Sequence, residues 1–217
     1  MPPKAMLAIR SDIAPSVEPE YLEWLTKEHT IERLSIDGFL SARIFRAQHT
    51  AFGRYWILYE LSGAAVVDSP AYLERLNNPT RWTARMMPHL ENFVRGGGKI
   101  IETLGNGYGA ALVPILIQAE ASSVGPGDLQ TLLCASRVAA IRMLQTDRGR
   151  TETRSNERVL RTGDQSFAKL LMIEALDTEA AMMAAQQLHS NRQSNLAERR
   201  AELHEDPAFS LIFHLNG

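Results

Sequence analysis

The sequence predicts an α+β protein of two tandem β-α-β-β-α-β repeats that form one intrachain α/β barrel. Three observations carry this. Strand and helix signals run β-α-β-β-α-β and then run through again, a glycine-rich Asn106-Gly107-Tyr108-Gly109 separates the two runs, and RYWILYEL and AKLLMIEAL are apolar at most positions on both faces. A strand apolar on both faces needs cover on both, and helices on one side leave the other face to the second repeat's sheet, packed face to face.

The first strand is AMLAIRSDI (5 to 13), stopped by Ala14-Pro15. Ser16, acidic residues at 18 and 20 and Pro19 in the opening turn mark a helix start, and Leu22, Leu25 and Ile36 continue it at helical spacing until Gly38. GFLSARIFRAQ (38 to 48) and RYWILYEL (54 to 61), joined by HTAFG, read as an antiparallel hairpin. Helical stretches follow from Ser69 to Leu76 and from Thr80 to Asn92, interrupted at Asn77-Asn78-Pro79, and GGGKIIETL (96 to 104) supplies the fourth strand.

In the second run AALVPILIQAE (110 to 120) is a strand and Gly127 to Arg137 a short helix. VAAIRMLQTD and FAKLLMIEAL form a strand pair, Thr178 to Ser190 and Asn195 to Leu203 are helices, and AFSLIFHLN closes the chain. This order is the ferredoxin-like arrangement, two helices over a four-stranded antiparallel sheet. Residues 1–107 form the repeat expected to hold a pocket, and 108–217 a divergent repeat expected to complete the barrel.

Composition narrows the function. Twenty-three Lys and Arg against 25 Asp and Glu give a net charge of −2, without the basic excess of a nucleic-acid-binding surface. The opening MPPKAMLAIRSDIAP reaches charged residues too soon for a signal peptide, and no run approaches the roughly 20 apolar residues of a membrane span. One cysteine, Cys134, fits a reducing cytoplasm. A small molecule is the expected partner, with neither nucleic acid nor membrane, and a homodimer of the tandem chain stays open.

The densest cluster is Tyr21-Leu-Glu-Trp24-Leu-Thr-Lys-Glu28-His29, followed by Ile36-Asp37-Gly38-Phe39-Leu40-Ser41-Ala42-Arg43. With Asn78-Pro79-Thr80-Arg81-Trp82-Thr83 and the Gly-rich exit at 106–109, it resembles the first half of EthD-like members of the dimeric α/β-barrel superfamily, over about residues 5 to 110. The resemblance implies a ferredoxin-like fold with a small cavity between helices and sheet. Elsewhere in that superfamily this cavity serves cofactor-free monooxygenases, lactone isomerases and polyketide cyclases.

From the residues themselves, His29 falls on the helix arc of Leu22, Leu25 and Ile36 and should point toward the sheet. An imidazole in a small apolar cavity suits enolisation of a carbonyl compound or isomerisation of a lactone, with no cofactor. The competing reading is a packing histidine in a ligand-binding or structural barrel. Trp24, Arg43, Tyr59 and Trp82 are the candidate substrate-binding residues, with Arg43 or Tyr59 fixing a carboxylate or carbonyl oxygen; alternation places only one of Trp56 and Tyr59 on the helix face. Gly96-Gly97-Gly98 reads as a turn rather than a phosphate loop, because no helix follows it. The six histidines lack metal-ligand spacing, and no axial haem ligand declares itself. Residues 146–165, with five Arg and four acids, read as a long solvated hairpin loop, with a lid or an interface arm as the alternative.

Overall fold

The computed structural model describes residues 4–48, 50–118, 124–152, 154–193, 203–205 and 207–217. Strand β1 (Ala5–Ile13) leads into α1 (Glu18–Trp24), which runs through a five-residue π turn (Leu25–His29) into α2 (Thr30–Leu34). The hairpin β2 (Phe39–Ala47) and β3 (Gly53–Leu61) follows, then α3 (Pro70–Asn77), α4 (Arg81–Met86) and β4 (Glu91–Leu104). The helix expected to reach Asn92 stops early because Pro88 breaks it into a 3-10 turn, Met87–His89.

The second repeat contains β5 (Ala111–Ile117), α5 (Pro126–Cys134), β6 (Val138–Thr146), α6 (Arg148–Thr151), α7 (Asn156–Val159), β7 (Lys169–Ala175) and α8 (Thr178–Gln193). A short β8 (Leu203–Glu205) and β9 (Phe209–Asn216) complete it. Of the helix expected over Asn195 to Leu203, all but Leu203 lies outside the described residues, and Leu203 opens β8.

The strands run β4-β1-β3-β2 in the first repeat and β6-β7-β5-β9 in the second, all pairings antiparallel. The two sheets do not stack as separate layers. They join edge to edge along β4–β6 and β2–β9, closing an eight-stranded antiparallel barrel with β8 alongside β5. Closure leaves no edge strand within the ring, which two face-to-face sheets would have left at four places.

The long strand β4 makes one of these seams. It pairs with β1 as far as Lys99 and with β6 from Gly98 onward. The glycine triplet lies where it crosses between sheets, inside a strand rather than in the expected turn. A Cβ on Gly98 would sit 2.0 Å from the Gln145 carbonyl oxygen, so only glycine permits this approach.

Strand alternation sorts the core into three layers. Tyr55, Ile57, Tyr59 and Leu61 of β3 pack outward under the first repeat's helices, and Trp56 and Leu58 point into the barrel with Met6, Phe45, Phe167 and Phe209. Ala180, Ala181, Ala184 and Leu188 of α8 cover the second repeat's outer face with Leu129 and Leu132 of α5. Among the described residues, no helix is long and apolar enough to cross a membrane.

Candidate active site

The cavity lies outside the packed barrel. It occupies about 310 Å³ between the outer face of β1, β3 and β4, the α1–α2 helix and the 151–166 segment of the second repeat. Ile9, Ser11, Ile57 and Phe93 form its floor, and Tyr21, Trp24, His29 and Arg33 of the helix form one wall.

The π turn sets that wall. Residues five apart on an α-helix stand about 140° apart around its axis. Here the Thr30 N–H reaches back five residues to the Leu25 carbonyl, and the Thr30 hydroxyl donates to the same oxygen at 2.6 Å. The widened turn brings Trp24 and His29 onto one face, ring centroids 4.4 Å apart. The Trp24 indole N–H donates to Thr83 Oγ1 at 3.1 Å, which ties the helix to α4.

His29 is buried, and its Nδ1 has no hydrogen-bond partner among the described residues. Burial pushes its pKa well below the ordinary 6.5, and the Arg33 and Arg161 guanidiniums push the same way. The imidazole is therefore neutral at physiological pH, and one of its ring nitrogens is unpaired among the described residues in a side chain that lines the cavity.

The 146–165 segment is not a solvated loop. It folds into α6 and α7, buries Thr151, Ser155 and Glu157, and roofs the cavity. Specific contacts pin it to the first repeat. Glu157 accepts from buried Arg33, the Thr151 hydroxyl donates to the Gly97 carbonyl at 2.9 Å, and Arg150 pairs with Asp68 at 2.6 Å. Asn156 Nδ2 donates to the Asn77 carbonyl at 2.6 Å, and Gln165 exchanges backbone hydrogen bonds with Phe93 and Arg95 of β4. Arg161 lies over the Phe93 ring at 4.0 Å and pairs with Asp164 at 3.1 Å.

Of the five residues singled out in the sequence, His29 and Trp24 line this cavity and the other three stand elsewhere. Tyr59 faces the helix layer, but it is spent in packing, edge-on to Phe39 at 5.5 Å. Trp82 sits half-buried on α4, its indole N–H donating to Glu20 at 3.1 Å on the outer surface. Arg43 points into the barrel, because β2 sends Ala42 and Ile44 toward the helices and the residue between them inward. There Arg43 bonds Glu174 through Nη1 at 2.6 Å, and Glu174 also accepts from Arg142 and from the Gly109 N–H at 3.1 Å. Tyr108 covers both guanidiniums, 4.4 Å from Arg43 and 4.8 Å from Arg142. The 106–109 hinge thus plugs one end of the barrel over a buried Arg-Glu-Arg cluster.

Sequence reasoning missed Arg33, Tyr72, Arg95 and the roof. Arg33 carried a signal, standing four residues beyond His29 on the same helix face. Nothing local marks Arg95, whose face follows from its pairing with Ile9. Among the described residues no three His, Cys, Asp or Glu side chains converge as a metal site.

No family model matches the chain, and no curated protein matches it in sequence. Solved structures do match in shape. A protein of Fusobacterium nucleatum provisionally named a monooxygenase superposes with a TM-score of 0.57 at 10% identity, over 100% of this chain and 96% of its own. An anthrone oxidase-like protein gives 0.57 at 10% identity over 98% and 93%, and a protein provisionally named chlorite dismutase gives 0.55 at 10% over 97% and 96%. At such identity the likeness is one of fold: the chain has the ferredoxin-like α/β-barrel architecture, both repeats carried on one polypeptide.

Proposed function

We propose that the chain is a small-molecule-binding α/β barrel of the EthD-like kind, acting without a cofactor on a carbonyl, lactone or aromatic polyketide-like compound through His29 as acid or base. One observation carries the reading: His29 lines an aromatic cavity, and its buried Nδ1 has no partner among the described residues. A buried polar atom left unpaired costs roughly 1–3 kcal/mol, and a ligand that bonds it recovers that cost. Ser166, which also lines the cavity, has a buried Oγ that is unpaired in the same way. The names of the matched structures, a monooxygenase and an anthrone oxidase-like protein among them, agree with small organic substrates.

A neutral imidazole can accept a proton from a carbon acid or enol, and the surrounding guanidiniums stabilise the anion left behind. The same depressed pKa favours a second reading, a ligand-binding barrel without turnover, because a weakly basic imidazole is a poor proton acceptor.

A thermal-shift screen of aromatic acids, lactones and polyketide-like compounds identifies binders, and turnover of each is then followed with the wild type and with His29→Gln. The proposal expects a bound compound that the wild type converts and the variant does not, with the variant's stability within about 1 kcal/mol of wild type. Binding without conversion by either protein selects the non-catalytic reading. A variant that converts as fast as wild type removes His29 from the chemistry.

A further inference from the structure

The cavity wall is unbalanced in charge. Four arginines, 33, 95, 158 and 161, face three acidic residues, 152, 157 and 164, and His29 is neutral. Arg33 is matched by Glu157, and Arg161 by Asp164, which also lies 3.9 Å from Arg158. Glu152 stands exposed at the rim. Arg95 is different: among the described residues its guanidinium bonds only neutral oxygens, the Thr151 carbonyl and, at 3.1 Å, the Tyr72 hydroxyl. Two of its five N–H groups are used, and the rest belong to a half-buried cation without a carboxylate.

Ser166, whose buried hydroxyl has no hydrogen-bond partner among the described residues, lines the same cavity. The Gln165 carbonyl, one residue earlier, accepts the Arg95 backbone N–H at 3.0 Å. Around these polar groups the lining is aromatic and aliphatic: Trp24, Tyr72, Phe93, Leu76 and Leu90.

We propose that Arg95 and Ser166 form an anion subsite, and that the ligand is an aromatic compound carrying a carboxylate or phenolate oxygen, its ring held between Trp24 and Phe93. This rests on the reading of the cavity as a small-molecule site and adds the charge of what enters. A guanidinium held by two neutral acceptors can take a third, bidentate partner without giving up a native ion pair. Burial is the main reason His29 is neutral, and the ligand's negative charge offsets the secondary push of Arg33 and Arg161, so binding and proton uptake by His29 favour one another.

The test is calorimetric titration with three probes of matched ring size: 2-naphthoate, neutral 2-naphthamide and cationic 2-naphthylmethylamine. The wild type binds naphthoate at least tenfold more tightly than naphthamide, and naphthylmethylamine least. Arg95→Gln brings naphthoate down to the level of naphthamide and leaves naphthamide where it was. Because naphthamide reports on the intact cavity, a variant that merely loosened the roof would lose both, and the selectivity would persist in the residual binding. Naphthamide equal to naphthoate in the wild type, or a ratio unmoved by Arg95→Gln, overturns the anion subsite while leaving a small-molecule cavity standing. Binding of none of the three overturns both the subsite and the reading beneath it.

Discussion

A buried imidazole that refuses a proton makes the native state sensitive to acid. Unfolded, His29 titrates near 6.5; folded, its pKa lies well below, mainly through burial and further through Arg33 and Arg161. Above about pH 6.5 both states leave it neutral, and its contribution to stability is fully present. As pH falls from there toward the folded pKa, only the unfolded chain takes up the proton, and stability is lost at up to about 1.4 kcal/mol per pH unit. Urea midpoints at pH 7.5, 6.5 and 5.5 should therefore fall more steeply for wild type than for His29→Phe. Parallel profiles would mean the ring is solvated or paired after all. The position of His29 was legible because Leu25, four residues before it, fixes the buried arc of a helix. Arg43 was misplaced for an equally physical reason. Alternation tells which residues of a strand share a face, yet a strand buried on both faces does not say which face meets the helices.

The roof is an element held on by side chains more than by ladder hydrogen bonds. Its backbone ties to β4 are those of Gln165 with Phe93 and Arg95 and of Asp147 with Gly97, and side chains add Arg33–Glu157, Arg150–Asp68, Thr151–Gly97, Asn156–Asn77, Arg95 on the Thr151 carbonyl and Arg161 over Phe93. Arg33 and Glu157 are both nearly fully buried, so removing one strands the other's charge, at a cost of about 3–5 kcal/mol. Local opening costs less than global unfolding in a segment so attached. Glu157→Ala should speed proteolytic cleavage within 148–166 several-fold and weaken binding of any cavity ligand, while cleavage elsewhere changes less. Uniform acceleration along the chain would instead show that the pair supports the whole fold. The segment's near-balance of Arg and acids was visible in the sequence, but the same composition serves a solvated loop, and the partners that decide between them lie some 55 to 125 residues away. The π turn was hidden for another reason: Leu-Thr-Lys-Glu-His is ordinary α-helical sequence, and the extra residue shows only in the hydrogen bonds.

Across the whole molecule the order of elements was readable and the manner of closure was not. Repeat order and two-sided apolar strands imply that each sheet needs the other, but edge pairing of β4 with β6 and of β2 with β9 depends on a register between residues far apart. Residues 1–107 alone would expose both seam edges and the barrel-facing side chains Met6, Phe45, Trp56 and Leu58. That fragment should self-associate in size-exclusion chromatography with light scattering; a stable monomer would mean that its sheet does not need the second repeat. The cavity adds a consequence of its own. Its floor belongs to one repeat and its roof to the other, so a molecule lodged there touches both and acts as a clasp between them. Its binding energy becomes cohesion of the two halves, raising the temperature at which they part rather than stiffening either alone.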